Sequence, residues 1–185
     1  IPSFAISHIP TAKLKSVTIN SGDSINDEAL KGCSSLVSIT IPDSVKSIGY
    51  QAFYGCSGLT SITIPDSVTS IGYSAFEGCS IETATIPSFA VSRIPKENLK
   101  TVTVTRGEIS REAFKGYSDL TSVIIQKDVK SIEDYAFNGC SSLSNITISV
   151  GVKSIGSYAF SDCSSLASIT IPDSVTSIGE QAFEN

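Results

Sequence analysis

Five cysteines, one histidine and a set of aspartates are the residues in this chain whose chemistry could reach beyond packing. Cys33, Cys56, Cys79, Cys140 and Cys163 occupy one position of a repeated phrase. Such a series could hold a metal or form disulfides. Yet the count is odd and no C-x-x-C pair is present, which fits neither a zinc site nor a closed disulfide framework. A ladder of buried free thiols acting as small apolar groups is the simpler reading. His8 is the only imidazole, so a Ser-His-Asp triad would depend on it. Its counterpart in the second half of the chain is Arg93, and no supporting motif accompanies it. Asp43, Asp66 and Asp173 each follow a proline. One carboxylate per repeat is thin coordination for calcium, whereas Pro-Asp-Ser is ordinary turn chemistry. With no glycine-rich phosphate loop and no paired-carboxylate constellation, the expectation is a protein without catalytic residues, metal or cofactor.

The elements that carry these residues recur. The pair Ala-Phe ends at Phe53, Phe76, Phe114, Phe137, Phe160 and Phe183, with Leu30 at the equivalent earlier place. The pattern L-x-x-I-x-I begins at Leu14, Leu36, Leu59, Ile81, Leu99, Leu120, Leu143 and Leu166, giving eight rungs. SITIPDSVTSIG stands unchanged at 61–72 and 168–179. A longer copy lies on top of this period, because IPSFAISHIPTAKLKSVTI at 1–19 matches IPSFAVSRIPKENLKTVTV at 86–104. The reading is a single repeat domain over 1–185, duplicated as 1–85 and 86–185, with spacers at 1–13 and 86–98. Block duplication accounts for the identical phrases without a functional motif.

Each unit explains itself physically. In LTSITIP, Leu59, Ile62 and Ile64 alternate with Thr and Ser, a strand signal. Pro65 ends the ladder, Asp66-Ser67 turns the chain, Val68 and Ile71 return to the core, and Gly72 permits a sharp bend. Ala75 and Phe76 plug the interior before Gly78-Cys79. One such unit cannot bury its own apolar side, but stacked copies can, with neighbouring strands about 4.8 Å apart. Cysteines at that spacing could bridge, so geometry alone leaves the disulfide open.

The phrase L-x-x-I-x-I-P-x-x-V-x-x-I-G-x-x-A-F-x-x-C resembles the leucine-rich repeat of the BspA-like surface-antigen family. Tyr117 in place of the cysteine and Asp162 in place of the glycine before it depart from the pattern. The resemblance implies an α/β-type repeat solenoid, a leucine-rich-repeat horseshoe of about eight rungs with one parallel strand per rung and few regular helices. It implies a secreted or surface-anchored protein that binds other macromolecules, with no catalysis. The cysteine position is leucine in related extracellular repeats, which favours core filling for Cys33, Cys56, Cys79, Cys140 and Cys163 beside the phenylalanine ladder.

By that geometry the residues flanking the second apolar position of each strand face outward. One column is Ser16, Ser38, Ser61, Thr83, Thr101, Ser122, Asn145 and Ser168. The other is Thr18, Thr40, Thr63, Thr85, Thr103, Ile124, Thr147 and Thr170. They make a hydroxyl-rich face that could contact protein or glycan, although it lacks the Tyr, Trp and Arg that dominate interfaces. Serine and threonine are also good, soluble strand formers, which explains them without a ligand. Phe89, Arg93 and Lys96 in the second spacer break the repeat and form another candidate contact. Tyr50, Tyr73, Tyr135 and Tyr158 read as one column before Ala-Phe, covering the turns or offering edges to a partner. Asn145-Ile146-Thr147 is a glycosylation sequon in a eukaryotic secretory source.

Charge narrows the partners. The net charge is −5 and the basic residues are scattered, which disfavours nucleic acid and anionic membranes. No apolar stretch approaches bilayer length. The expected partner is a protein or glycan on a host or neighbouring cell, and the expected location is extracellular or cell-surface. A structural spacer presenting another domain is the rival reading, and an ice-binding solenoid a third. Without an initiator methionine the chain is expected to be a processed or excised piece of a longer protein. Its ends lack polar caps, which suggests further repeats or end-to-end self-association.

Overall fold

A computed structural model describes residues 13–184. His8 and the spacer residues 1–12 lie outside the described residues. The contact pattern divides the chain into two compact units, one running through Ala84 and including Arg93–Asn98, the other comprising Thr85–Ser92 and the chain from Leu99 onward.

In the first unit the L-x-x-I-x-I segments form β1 (Ser16–Thr18), β3 (Ser38–Thr40) and β5 (Ser61–Thr63). β1 and β3 pair in parallel, Ser16 opposite Ser38 and Thr18 opposite Thr40. Between them lie shorter strands, β2 (Ser24–Ile25), β4 (Ser47–Ile48) and β6 (Ser70–Ile71), which form their own parallel sheet in the order β2-β4-β6. Each rung therefore carries two strands. The second comes from the V-x-S-I segment, where valine and isoleucine return inward and the two residues at the return pair with their equivalents one repeat away.

β7 (Thr83–Ile86) precedes a 3-10 helix, Ser88–Arg93. In the second unit β8 (Thr101–Ile109) and β9 (Ser122–Ile132) are long. Their rungs carry TRGE and QKDV in place of the Pro-Asp-Ser turn, and each runs as one continuous strand where other rungs have two. They pair in parallel with register shifts at Val104/Arg106 and Gly107/Ile109. β10 (Asn145–Ile148) pairs with the front of β9, and β11 (Ser154–Ile155) with its end and with β12 (Ser177–Ile178). The fold is a parallel-strand β-solenoid of about seven turns with almost no helix. The eighth segment differs from expectation: residues 166–171 form no strand. No backbone hydrogen bond ties them to β10 among the described residues, and Leu166, Ile169 and Ile171 stay half-buried.

The core is a stack of like residues. Phe53 and Phe76 lie 5.1 Å apart and nearly parallel, and Phe114, Phe137 and Phe160 repeat the arrangement at 4.9 and 5.2 Å. These rings are buried. Backbone bonds between plugs hold the spacing, as from Phe53 N to Ala75 O at 2.8 Å and Phe114 N to Ala136 O at 2.7 Å. Phe183 departs from the expected ladder, since it stacks on Phe160 at 5.4 Å yet is 37% exposed because only one of its faces is covered by a ring.

Two glycine positions have different causes. Gly55 and Gly78, before the cysteines, have φ of 72° and 76°, a left-handed conformation that glycine adopts freely. Asp162 takes that place at φ 59°. Gly72 is not among the positive-φ glycines, and its missing side chain matters for a different reason. A Cβ there would lie 2.4 Å from Tyr50 N of the preceding rung, and one at Gly49 2.4 Å from Asp27 N. Those glycines let adjacent backbones touch.

Candidate functional site

Strand pleating puts the two hydroxyl columns on one face, because residues two apart on a strand point the same way. In the first unit Ser16, Thr18, Ser38, Thr40, Ser61 and Thr63 are all exposed, while Val17 and Ile62 between them are buried. On β7 Thr83 is exposed and Thr85 half-buried. In the second unit the register aligns Thr101, Ser122 and Asn145 in one column and Thr103, Ile124 and Thr147 in the other. Asn145 and Thr147 are exposed, whereas Thr101 and Thr103 are half-buried. Ile124 stands 41% exposed in the threonine column, an apolar contact group on an otherwise polar surface. Ser168 and Thr170 are exposed but sit on the segment that forms no strand.

The spacer residues Phe89, Arg93 and Lys96 are exposed, with Phe89 and Arg93 on the 3-10 helix and its Ala90 and Val91 buried beneath. The four tyrosines are not one column. Tyr50 and Tyr73 precede their phenylalanines by three residues, Tyr135 and Tyr158 by two, and that one-residue offset changes their environment. Tyr135 and Tyr158 stack at 4.9 Å, and their hydroxyl column ends on Gln181, which accepts from Tyr158. The Arg111 guanidinium lies 4.9 Å from the Tyr135 ring centre and also bonds Asp134 at 3.3 Å. Tyr50 and Tyr73 are exposed instead. Counting backward from each Ala-Phe would have separated the pairs in the sequence. Arg111 gave no such signal, because its partner ring lies one rung away.

The cysteines are free and buried. Cys56, Cys79, Cys140 and Cys163 each direct Sγ at the carbonyl of the plug residue one rung earlier, Leu30, Phe53, Phe114 and Phe137, at 3.0–3.2 Å. Burial pushes the Cys33 and Cys163 thiols up to about 11 and that of Cys140 up to about 12. Cys79 is pushed well above the ordinary thiol range by its hydrogen bond with Cys56 and by burial. Cys56 is shifted the other way, lowered by its hydrogen bond with Cys79. The other four thiols, raised in an apolar interior, are poor nucleophiles and poor metal ligands. Among the described residues no group of three His, Cys, Asp or Glu could hold a metal ion, and no helix is long and apolar enough to cross a membrane.

This combination of a 23-residue phrase, parallel strands and stacked plugs can be set beside known proteins. The family model described as "BspA type Leucine rich repeat region" matches residues 10–105 and 107–185, in six copies. The chain belongs to the BspA-type leucine-rich repeat family. Solved leucine-rich repeat proteins share its fold. A leucine-rich repeat protein from Eubacterium ventriosum is 29% identical with a TM-score of 0.58, over 92% of this chain and 42% of that one. One from Bacteroides ovatus is 24% identical with a TM-score of 0.54, over 92% and 58%. The T. pallidum leucine-rich repeat protein is 26% identical with a TM-score of 0.53, over 86% and 79%. The BspA-type chain thus spans well under two thirds of the length of the first two structures. No curated protein matches it in sequence.

Proposed function

We propose that this BspA-type chain is a non-enzymatic macromolecule-binding module of a cell-surface or secreted repeat protein, acting in adhesion or in contact with a host or neighbouring cell. The observation that carries the reading is the strand face of the first unit. Its six Ser and Thr side chains are exposed, with register shown between β1 and β3, on backbones held by stacked cores. Such a surface offers hydroxyl donors and acceptors at a regular pitch on a rigid support, which lowers the ordering cost of binding. In the second unit Ile124 adds apolar contact beside Asn145 and Thr147. The buried thiols of Cys33, Cys79, Cys140 and Cys163, raised above the ordinary range, are poor nucleophiles, which supports a binding role over a catalytic one.

The test is binding of the fluorescently labelled full chain to epithelial cells and immobilised matrix proteins. Saturable binding supports the module. Absence of binding to every surface would favour a spacer that presents another part of a longer protein.

A further inference from the structure

The first unit also holds an open cleft on a different side of the rung, where the short strands β2 and β4 end. It is lined by the Ser24 and Ser47 hydroxyls, the Asn26 amide and the Asp27 carboxylate, with Ile25 and Gly49 completing it. Asp27 Oδ1 accepts the Tyr50 backbone N–H at 2.7 Å, which fixes the carboxylate and leaves its other oxygen as an acceptor. Ser24 Oγ donates to Asn26 Oδ1 at 3.5 Å, and the Ser47 hydroxyl has no side-chain partner among the described residues. Tyr50, which follows Gly49 of the cleft, and Tyr73, one rung further on, are 44% and 72% exposed. They do not stack on one another, unlike Tyr135 and Tyr158 in the second unit.

The corresponding place in the second unit is built differently. There Glu133 stands where Gly49 is, and it accepts a hydrogen bond from Ser131 Oγ at 2.6 Å, burying that serine. Asp134 and Ser157 stand where Tyr50 and Tyr73 are. The carboxylate-to-backbone bond recurs there, Asp134 Oδ1 accepting from Ser157 N at 2.8 Å, whereas the two tyrosines do not, so packing does not require the tyrosines.

Hydroxyls, an amide and a fixed acceptor, together with two exposed aromatic rings, match the two sides of a pyranose. The rim of a sugar ring offers hydroxyl donors and acceptors, and its C–H face lies against an aromatic surface. The Asp27 carboxylate accepts from sugar hydroxyls and repels sulfate or carboxylate groups. From this arrangement we infer that the cleft, with Tyr50 and Tyr73, is a binding subsite for a neutral oligosaccharide. It is separate from the strand face and stands or falls independently of it.

The test is saturation-transfer-difference NMR and calorimetric titration of the full chain with cellopentaose, laminaripentaose and mannopentaose, and with a heparin-derived pentasaccharide as the anionic arm. At least one neutral sugar is expected to bind, with saturation concentrated on ring C–H protons. Tyr73→Ser is expected to weaken it about tenfold, near 1.4 kcal/mol. Asp27→Asn keeps an acceptor for Tyr50 N and is expected to weaken it severalfold, while Glu180→Gln leaves it unchanged. Unaltered melting in each variant separates these effects from misfolding. Failure of every neutral sugar at millimolar concentration, binding of the anionic sugar alone, or unchanged affinity in both Tyr73→Ser and Asp27→Asn would overturn the inference.

Discussion

At the residue scale, the cysteine ladder shows how one position is reused. Each of four thiols reaches back to a plug carbonyl one rung earlier, so the side chain fills the core and adds a hydrogen bond to the stack. Removing the sulfur in Cys140→Ala opens a small cavity and takes one bond from the Phe114 carbonyl. The expected cost is about 1–2 kcal/mol, read as a lower midpoint in urea. The raised thiol pKa values also predict a pH dependence. A thiol ionises near 9 when unfolded but near 11 to 12 at Cys33, Cys163 and Cys140. The unfolded state therefore loses its proton first. This contribution to stability is complete below about pH 9 and is lost as pH rises toward 12. Melting temperature should fall across that window, less steeply in Cys140→Ala, and native thiols should resist Ellman's reagent at pH 8. The cysteine positions were legible in the sequence, whereas their carbonyl partners were not. A backbone oxygen one rung away leaves no trace in residue type.

At the scale of the element, the strand, proline stop and plug were readable because each uses a residue with one strong preference. Leu59, Ile62 and Ile64 alternate, Pro65 cannot donate, and Phe76 has to be buried. The second strand of each rung was not readable, since two residues such as Ser70-Ile71 are too short to show a period. The long β8 and β9 were hidden for the opposite reason, because one strand covers a stretch that the repeat pattern divides. A missing proline does not mark it, since 149–153 also lacks proline and still separates β10 from β11. The glycine of S-I-G was recognised, but not its contact with the neighbouring backbone. That contact gives a discriminating pair of variants. Gly32→Ala has open space around its Cβ and only φ of 74° to oppose it, so it should cost about 1–2 kcal/mol. Gly72→Ala places Cβ 2.4 Å from Tyr50 N. It should cost more, about 3 kcal/mol at the upper end for overpacking. Chemical denaturation of both variants decides the order.

At the scale of the whole molecule, duplicated packing and divergent surface separate cleanly. The phenylalanine and cysteine ladders recur in both units, while the strand faces differ: all Ser and Thr in β1, β3 and β5, but Asn145 and Ile124 in the second unit. The candidate strand face was read from alternation together with the geometry that the family resemblance implies. What alternation could not give was accessibility, because the half-burial of Thr101 and Thr103 depends on neighbours distant in the chain. The proposed function puts recognition on exposed faces whose residues the fold itself does not need. Its most direct test is the affinity of the labelled chain for its best-binding cell or matrix surface, compared between the native sequence and Thr40→Arg/Thr63→Arg, with melting recorded for both. At least a tenfold loss of affinity with an unchanged melting temperature is expected. Unchanged affinity at unchanged melting temperature would contradict it.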